Sequence, residues 1–339
     1  MSEPLRVGLI GAGWVTQHHL KGWRAQGDAA RVVAIADPSP EHAAERAAAF
    51  AIPAVFTSAQ AMLAAGGIDA VDIAAPRAVH ADLARLAADH GLPILCQKPL
   101  APTLAEAERL VADIGGRVRL MVHENWRFRA YYRQAADWIR SGAIGQVKAA
   151  ALTLVTSGTV PDADGHLWAL ERQPFMRTEA RMLVAEVLIH HLDTLRMLLG
   201  PLKVEAAALS RTCPDMRGED GAVIHLRTAD GAGVAVFASF AAHGAPAQQV
   251  DRLVVLGDAG AVRLDGVDLS LSGRRDERLA FDPDATYLGS YAATIAHFVD
   301  GLRTGAPFET APEDNLETLR LVEDCYRISG FETARRDAA

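Results

Sequence analysis

The chain has 339 residues, half of them hydrophobic and 22% charged, with 42 acidic against 34 basic side chains and a formal net charge of −8. That length exceeds one typical domain and suits two, and the composition excludes a disordered chain. The acidic balance, without any Lys/Arg run, excludes a nucleic-acid partner on electrostatic grounds, because a phosphate backbone would be repelled. Cys96, Cys213 and Cys325 are far apart and form no C-x-x-C pair, the pattern of buried thiols in a reducing compartment. Glu3 and the glycines at 8, 11 and 13 break the first apolar run, so no signal peptide is expected there, and no stretch approaches the ~20 apolar residues of a membrane span. The expectation is a cytoplasmic protein with no membrane partner.

In chain order, residues 5 to about 122 alternate β-branched runs with Ala-rich runs. Strands are predicted at 5–10, 31–36, 54–56, 70–75, 93–97 and 118–122, with helices at about 14–26, 41–50, 59–65, 78–90 and 103–114 between them. This rhythm reads as an N-terminal Rossmann domain, a doubly wound parallel sheet covered on both faces. Past Val122 the rhythm changes: a helix at about 129–141, a strand at 146–156, a polar loop at 158–176 and a helix through His190. Strands with short turns follow from about 202 to 272, then closing helices at about 290–303 and 313–330. Consecutive strands without crossover helices give a C-terminal α/β domain with a mostly antiparallel open sheet. The expected division is 1–123 and 124–339.

The strand-turn-helix passage through Gly11, Ala12, Gly13, Trp14 and Val15 has the glycine spacing that lets a backbone approach a pyrophosphate, with Thr16 in the third glycine place. Asp37 ends the next strand. An acid there accepts both ribose hydroxyls and repels a 2′-phosphate, which favours NAD over NADP. Ala75-Pro76-Arg77-Ala78-Val79-His80 and Cys96-Gln97-Lys98-Pro99 end the fourth and fifth strands, in the row of strand ends where open α/β sheets bind ligands. Taken alone, His80 reads first as a helix-start residue. In the second half, Glu186, His190 and Asp193 stand at i, i+4 and i+7 on an otherwise apolar helix, a narrow acid and imidazole stripe that belongs in a cleft. His191 points about 100° away, into the packed side. A metal held by the stripe is conceivable, but none is expected.

The glycine turn, Pro76 with His80, Lys98-Pro99, Asn125-Trp126-Arg127-Phe128 and Glu186 with His190 and Asp193 together resemble the glucose-fructose oxidoreductase / inositol dehydrogenase / MocA family, in its order and approximate spacing over nearly the whole chain. The resemblance implies that the lysine of the family's Glu-Lys-Pro motif falls on Lys98 and its catalytic histidine on His190. Pro76, His80 and Gln97 join the glycine turn and Asp37 as cofactor residues. The second domain's sheet would build a homodimer or homotetramer. Three positions depart from the pattern: Gln97 stands for a glutamate, Arg77 for an asparagine and Glu186 for an aspartate.

The residues and the resemblance agree on mechanism. Oxidising an alcohol needs a base near neutrality, the role of His190, and an ammonium to stabilise developing alkoxide charge, the role of Lys98. Glu186 would orient the imidazole or bind a neighbouring hydroxyl. Asn125 and Trp126 would face a carbohydrate, His166 would contact it from the polar loop, Arg127 would form an ion pair, and Asp193 would brace its helix. The expected activity is NAD-dependent oxidation of a sugar hydroxyl, aldose to lactone. The 169–176 and 186–193 stretches resemble the branch that contains D-apiose dehydrogenase. The alternatives are a dehydrogenase of inositol or another cyclic polyol, and a non-catalytic dinucleotide sensor.

Overall fold

The computed structural model describes residues 3–331. It opens with β1 (Leu5–Ile10), α1 (Thr16–Arg24), β2 (Ala30–Ala36), α2 (Pro40–Phe50), β3 (Ala54–Phe56), α3 (Ala59–Ala65), β4 (Ala70–Ile73), α4 (His80–Asp89), β5 (Ile94–Gln97), α5 (Leu104–Ile114) and β6 (Leu120–His123). There follow α6 (Ala130–Arg140), β7 (Val147–Val155), α7 (Trp168–Arg172) and α8 (Ile189–Leu199). The strands β8 (Leu202–Ser210), β9 (Gly221–Thr228), β10 (Gly233–Ser239), β11 (Asp251–Gly257), β12 (Gly260–Asp265), β13 (Asp268–Gly273) and β14 (Glu277–Ala280) come next, then α9 (Pro283–Thr304) and α10 (Pro312–Ser329). Three helices start where a side chain takes an orphan backbone N–H: Ser39 caps α2, Ser58 caps α3, and Thr103 with Glu106 forms a reciprocal capping box on α5.

The chain forms two compact units, one of Met1–Arg129 with Asp284–Leu319 and one of Ala130–Pro283 with Arg320–Ala339. The first is therefore discontinuous, unlike the expected division at 123/124. The cause is apolar burial. Phe128, Ile295, Phe298, Val299 and Phe308 share one core with Val7, Trp23, Leu95 and Met121 under the first sheet. Helix α9 also begins at Pro283, earlier than the expected 290.

In the first unit the strand order is β3-β2-β1-β4-β5-β6, every pair parallel. The order reverses between β1 and β4, which puts a crevice beyond their carboxyl ends. The second unit's sheet runs β14-β13-β12-β11-β7-β10-β9-β8, antiparallel throughout except for β7 beside β10. Burial alternates along β9 and β10, so one face is packed and the other open. The open face carries Val223 and Phe237, which are register partners, together with Leu256, all exposed.

His18 on α1 is only 9% exposed and lies among Trp14, Tyr287 and Tyr291, with ring centroids 4.7, 5.2 and 5.4 Å away. Burial, followed by the charges of Lys21, His19 and Arg46, lowers its pKa from 6.5 to about 4. Between those values the unfolded chain binds the extra proton, so this contribution to stability is complete above pH 6.5 and is lost as pH falls toward 4, up to about 3 kcal/mol. In denaturant titrations, His18→Phe should lose less stability than the wild type between pH 7 and pH 5; equal losses would contradict this.

Candidate active site

In the first unit the glycine turn is shaped by close approach. Gly11 has φ +107°, and a Cβ there would meet the Ala74 carbonyl oxygen at 2.5 Å, so only glycine fits. A Cβ on Gly13 would meet nothing within 4 Å, which leaves the turn open. Thr16, in the third glycine place, is buried and donates its hydroxyl to the Gly11 carbonyl at 3.1 Å. Helix α1 carries no side-chain cap, and its N-terminus keeps free N–H groups and partial positive charge for an anion. Asp37 follows β2 and accepts from the Ala12 N–H at 2.7 Å and the Ser39 N–H at 2.8 Å. Open turn, uncapped helix and adjoining acid fit a dinucleotide. Trp14 is exposed beside this turn, and Val15 is half-buried.

Along the same edge, several of the expected ligand residues make hydrogen bonds within the unit. His80 is buried, with Nδ1 2.7 Å from the Pro99 carbonyl and Nε2 2.8 Å from the Ala75 carbonyl, between the segments that leave β5 and β4. Gln97 is 8% exposed and spends its amide inside the domain, on His19 and on the Lys98 N–H. Asn125 is 2% exposed and donates its amide nitrogen to Ser290 Oγ at 2.8 Å. Trp126 lies under the Arg129 guanidinium, 3.4 Å from the ring centroid. Arg127 is buried, pairs with Asp314 at 2.7 Å and donates to the Glu309 carbonyl at 3.0 Å. Pro76 opens the short turn Arg77–Val79, and Lys98 stands half-buried at the carboxyl end of β5.

Other groups at this edge escaped the sequence reading. Asp72 on β4 is fully buried and accepts from His19 Nδ1 at 2.9 Å and from Trp23 Nε1 at 2.7 Å, which ties α1 to the sheet. His19 stacks on His123 with centroids 4.2 Å apart, and Tyr287 and Tyr291 donate or accept across 3.2 Å. The i, i+4 spacing of that tyrosine pair was visible, but nothing in the sequence linked it to α1.

In the second unit, the helix bearing His190 is not a single α-helix. Leu183–Leu188 forms a π-helical turn and α8 begins only at Ile189, so the expected i, i+4, i+7 alignment passes through a widened turn. Glu186 is half-buried, His190 is 7% exposed and Asp193 is 1% exposed with Arg196 3.9 Å away. A buried carboxylate supports the π turn: Glu219 accepts from the N–H groups of Met182 at 3.2 Å and Val184 at 2.9 Å and from Tyr326 Oη at 2.5 Å. Burial pushes the Glu219 carboxyl up, and the hydrogen bonds from Tyr326, Val184 and Met182 oppose that rise. His191 is fully buried, 3.0 Å from Asp251, which also accepts from Tyr132 and Gln249. His166 sits on an exposed loop, where a hydrogen bond to Glu171 at 2.9 Å raises its pKa. Beside it, Trp168 is 54% exposed and donates to Asp162.

Two family models match the chain: an oxidoreductase family with an NAD-binding Rossmann fold over residues 5–121, and a GFO/IDH/MocA C-terminal domain over residues 132–263. A D-apiose dehydrogenase of Paraburkholderia graminis is 34% identical over 94% of this chain and 86% of its own length. An inositol 2-dehydrogenase of Streptomyces avermitilis is 29% identical over 90% of this chain and 86% of its own. An oxidoreductase of Agrobacterium radiobacter, solved in complex with NAD+, L-tartaric acid and magnesium, superposes with a TM-score of 0.88 at 29% identity, covering 96% of each chain. With both domain models matched in order and near-complete coverage by these relatives, the chain belongs to the GFO/IDH/MocA family of NAD-binding oxidoreductases.

Proposed function

We propose that this chain oxidises a sugar hydroxyl with NAD, converting an aldose to its lactone, with D-apiose as the first substrate to test. The observation that carries the reading is Lys98 at the carboxyl end of β5, in the same row of strand ends as the glycine turn and Asp37. The two D-apiose dehydrogenases, 34% and 30% identical over 94% and 95% of this chain, support the choice of sugar. When bound, NAD supplies the hydride acceptor. His190 takes the hydroxyl proton, Lys98 stabilises the developing negative charge on the same oxygen, and Glu186 orients the imidazole or holds a neighbouring hydroxyl. The loop bearing His166 and the exposed indole of Trp168 contributes sugar contacts. An inositol or cyclic polyol substrate is the second reading, supported by inositol 2-dehydrogenases at 27–29% identity.

The open face of the second unit's sheet, with Val223 and Phe237 exposed as register partners and Leu256 also exposed, supports a homodimer or homotetramer. Three buried free thiols support a cytoplasmic setting, and among the described residues no helix is long and apolar enough to cross a membrane.

His190→Ala should lower kcat by at least ~100-fold while NAD+ affinity stays within about 3-fold, read by NADH absorbance and calorimetry; an active variant would remove His190 from the mechanism. Asp37→Ser should cut the kcat/KM preference for NAD+ over NADP+ by about tenfold or more, since it removes an acceptor for the ribose hydroxyls and a charge that repels a 2′-phosphate; an unchanged ratio in steady-state assays would contradict that role. Panels of aldoses and inositols separate the two substrate readings. Measurable NAD+ binding with no turnover on either panel would favour a silent dinucleotide sensor.

A further inference from the structure

Lys98 is held through its backbone by a chain of buried polar groups. A backbone N–H can only donate, so the Gln97 carbonyl oxygen is the atom that faces the Lys98 nitrogen at 2.7 Å. The amide nitrogen of Gln97 then faces His19 Nε2 at 3.1 Å. That nitrogen is also donor-only, so His19 Nε2 accepts and the ring proton sits on Nδ1, from which it is donated to Asp72 at 2.9 Å. Trp23 Nε1 donates to the same carboxylate at 2.7 Å. His19 and Asp72 are fully buried and Gln97 is 8% exposed, so water does not compete for these bonds. On the far side of Lys98, the Pro99 carbonyl is held by His80 Nδ1 at 2.7 Å.

We propose that Gln97 is a positioning residue: it passes the fixed geometry of the Asp72–His19 pair to the backbone of Lys98 and so directs the ammonium group at the reacting alcohol. The inference rests on the role proposed above for Lys98. It also gives a reason for an amide at this position. A carboxylate there would still accept from the Lys98 N–H, but its second oxygen would face the His19 lone pair and draw a second proton onto the ring. The groups around His19 are Asp72 on β4, His123 on β6 stacked at 4.2 Å, Tyr291 on α9 at 5.6 Å, His18 on its own helix, and Cys96 on β5, whose thiol feels the Asp72 charge.

The test combines a spectroscopic and a kinetic measurement. In NAD+-saturated protein with 15N-labelled histidine, the ring signals lost in His19→Gln identify His19. Wild type should show Nδ1 protonated and Nε2 bare, and Gln97→Glu should show both nitrogens protonated. A wild-type His19 with its proton on Nε2, or with two protons, would overturn the relay. In turnover of D-apiose and of myo-inositol, Gln97→Met should lower kcat roughly 10- to 100-fold with little change in KM for NAD+, and Gln97→Glu should recover part of that loss because it restores the bond to Lys98. Unchanged kcat in Gln97→Met beside an inactive Lys98→Met would overturn the positioning role alone. Unchanged kcat in Lys98→Met would overturn the role of the lysine itself. Should Gln97→Met not fold, the wild-type spectrum and Gln97→Glu decide the question.

Discussion

The first unit is organised around one steric constraint, the passage of Gly11 against the Ala74 carbonyl. A side chain there would collide with the backbone leaving β4, and the positive φ needed for the turn is one that glycine alone adopts without strain. With that contact made, β1 and β4 end together at the reversal of strand order, α1 starts beside them, and Asp37 reaches back to the Ala12 N–H. Each consequence is local, and together they place an uncapped helix N-terminus, an acid and Lys98 along one edge of a parallel sheet.

Two buried carboxylates then fix α1 and the turn that leads into α8. Asp72 binds α1 through His19 and Trp23, and Glu219 binds the π turn ahead of α8 through backbone N–H groups and Tyr326. An unpaired charge at either place would be costly, and each is instead surrounded by donors in fixed positions. The cost of desolvation is exchanged for geometry: the helix after the glycine turn and the helix bearing His190 are both tied down by these bonds. His191, one residue past His190, does the same for the other side of α8 through Asp251.

Most of the fold was legible in the sequence, because parallel strands buried on both faces read as β-branched runs and the helices between them begin at Ser39, Ser58 and Thr103. The glycine turn and Asp37 were equally legible, since their spacing follows from backbone geometry. What was not legible depends on where individual atoms point. His80 and Asn125 lie at the expected strand ends, but their nitrogens are spent on the Pro99 and Ala75 carbonyls and on Ser290. The π turn before α8 arises from a carboxylate 33 residues beyond Glu186 in sequence, Glu219, and no helical periodicity encodes such a partner. Helix α9 joins the first unit through Ile295, Phe298 and Val299, a long-range packing choice with no local signature.

The central claim is that hydrogen leaves the carbon bearing a sugar hydroxyl and arrives on the nicotinamide, with this chain's own residues handling the proton. Turnover of D-apiose carrying deuterium at its anomeric carbon tests it most directly, with the reduced cofactor analysed by mass spectrometry. The account predicts one deuterium in each molecule of NADH formed and a slower rate than with unlabelled sugar. Reduced cofactor without deuterium would contradict oxidation at that carbon, and with it the lactone-forming reaction.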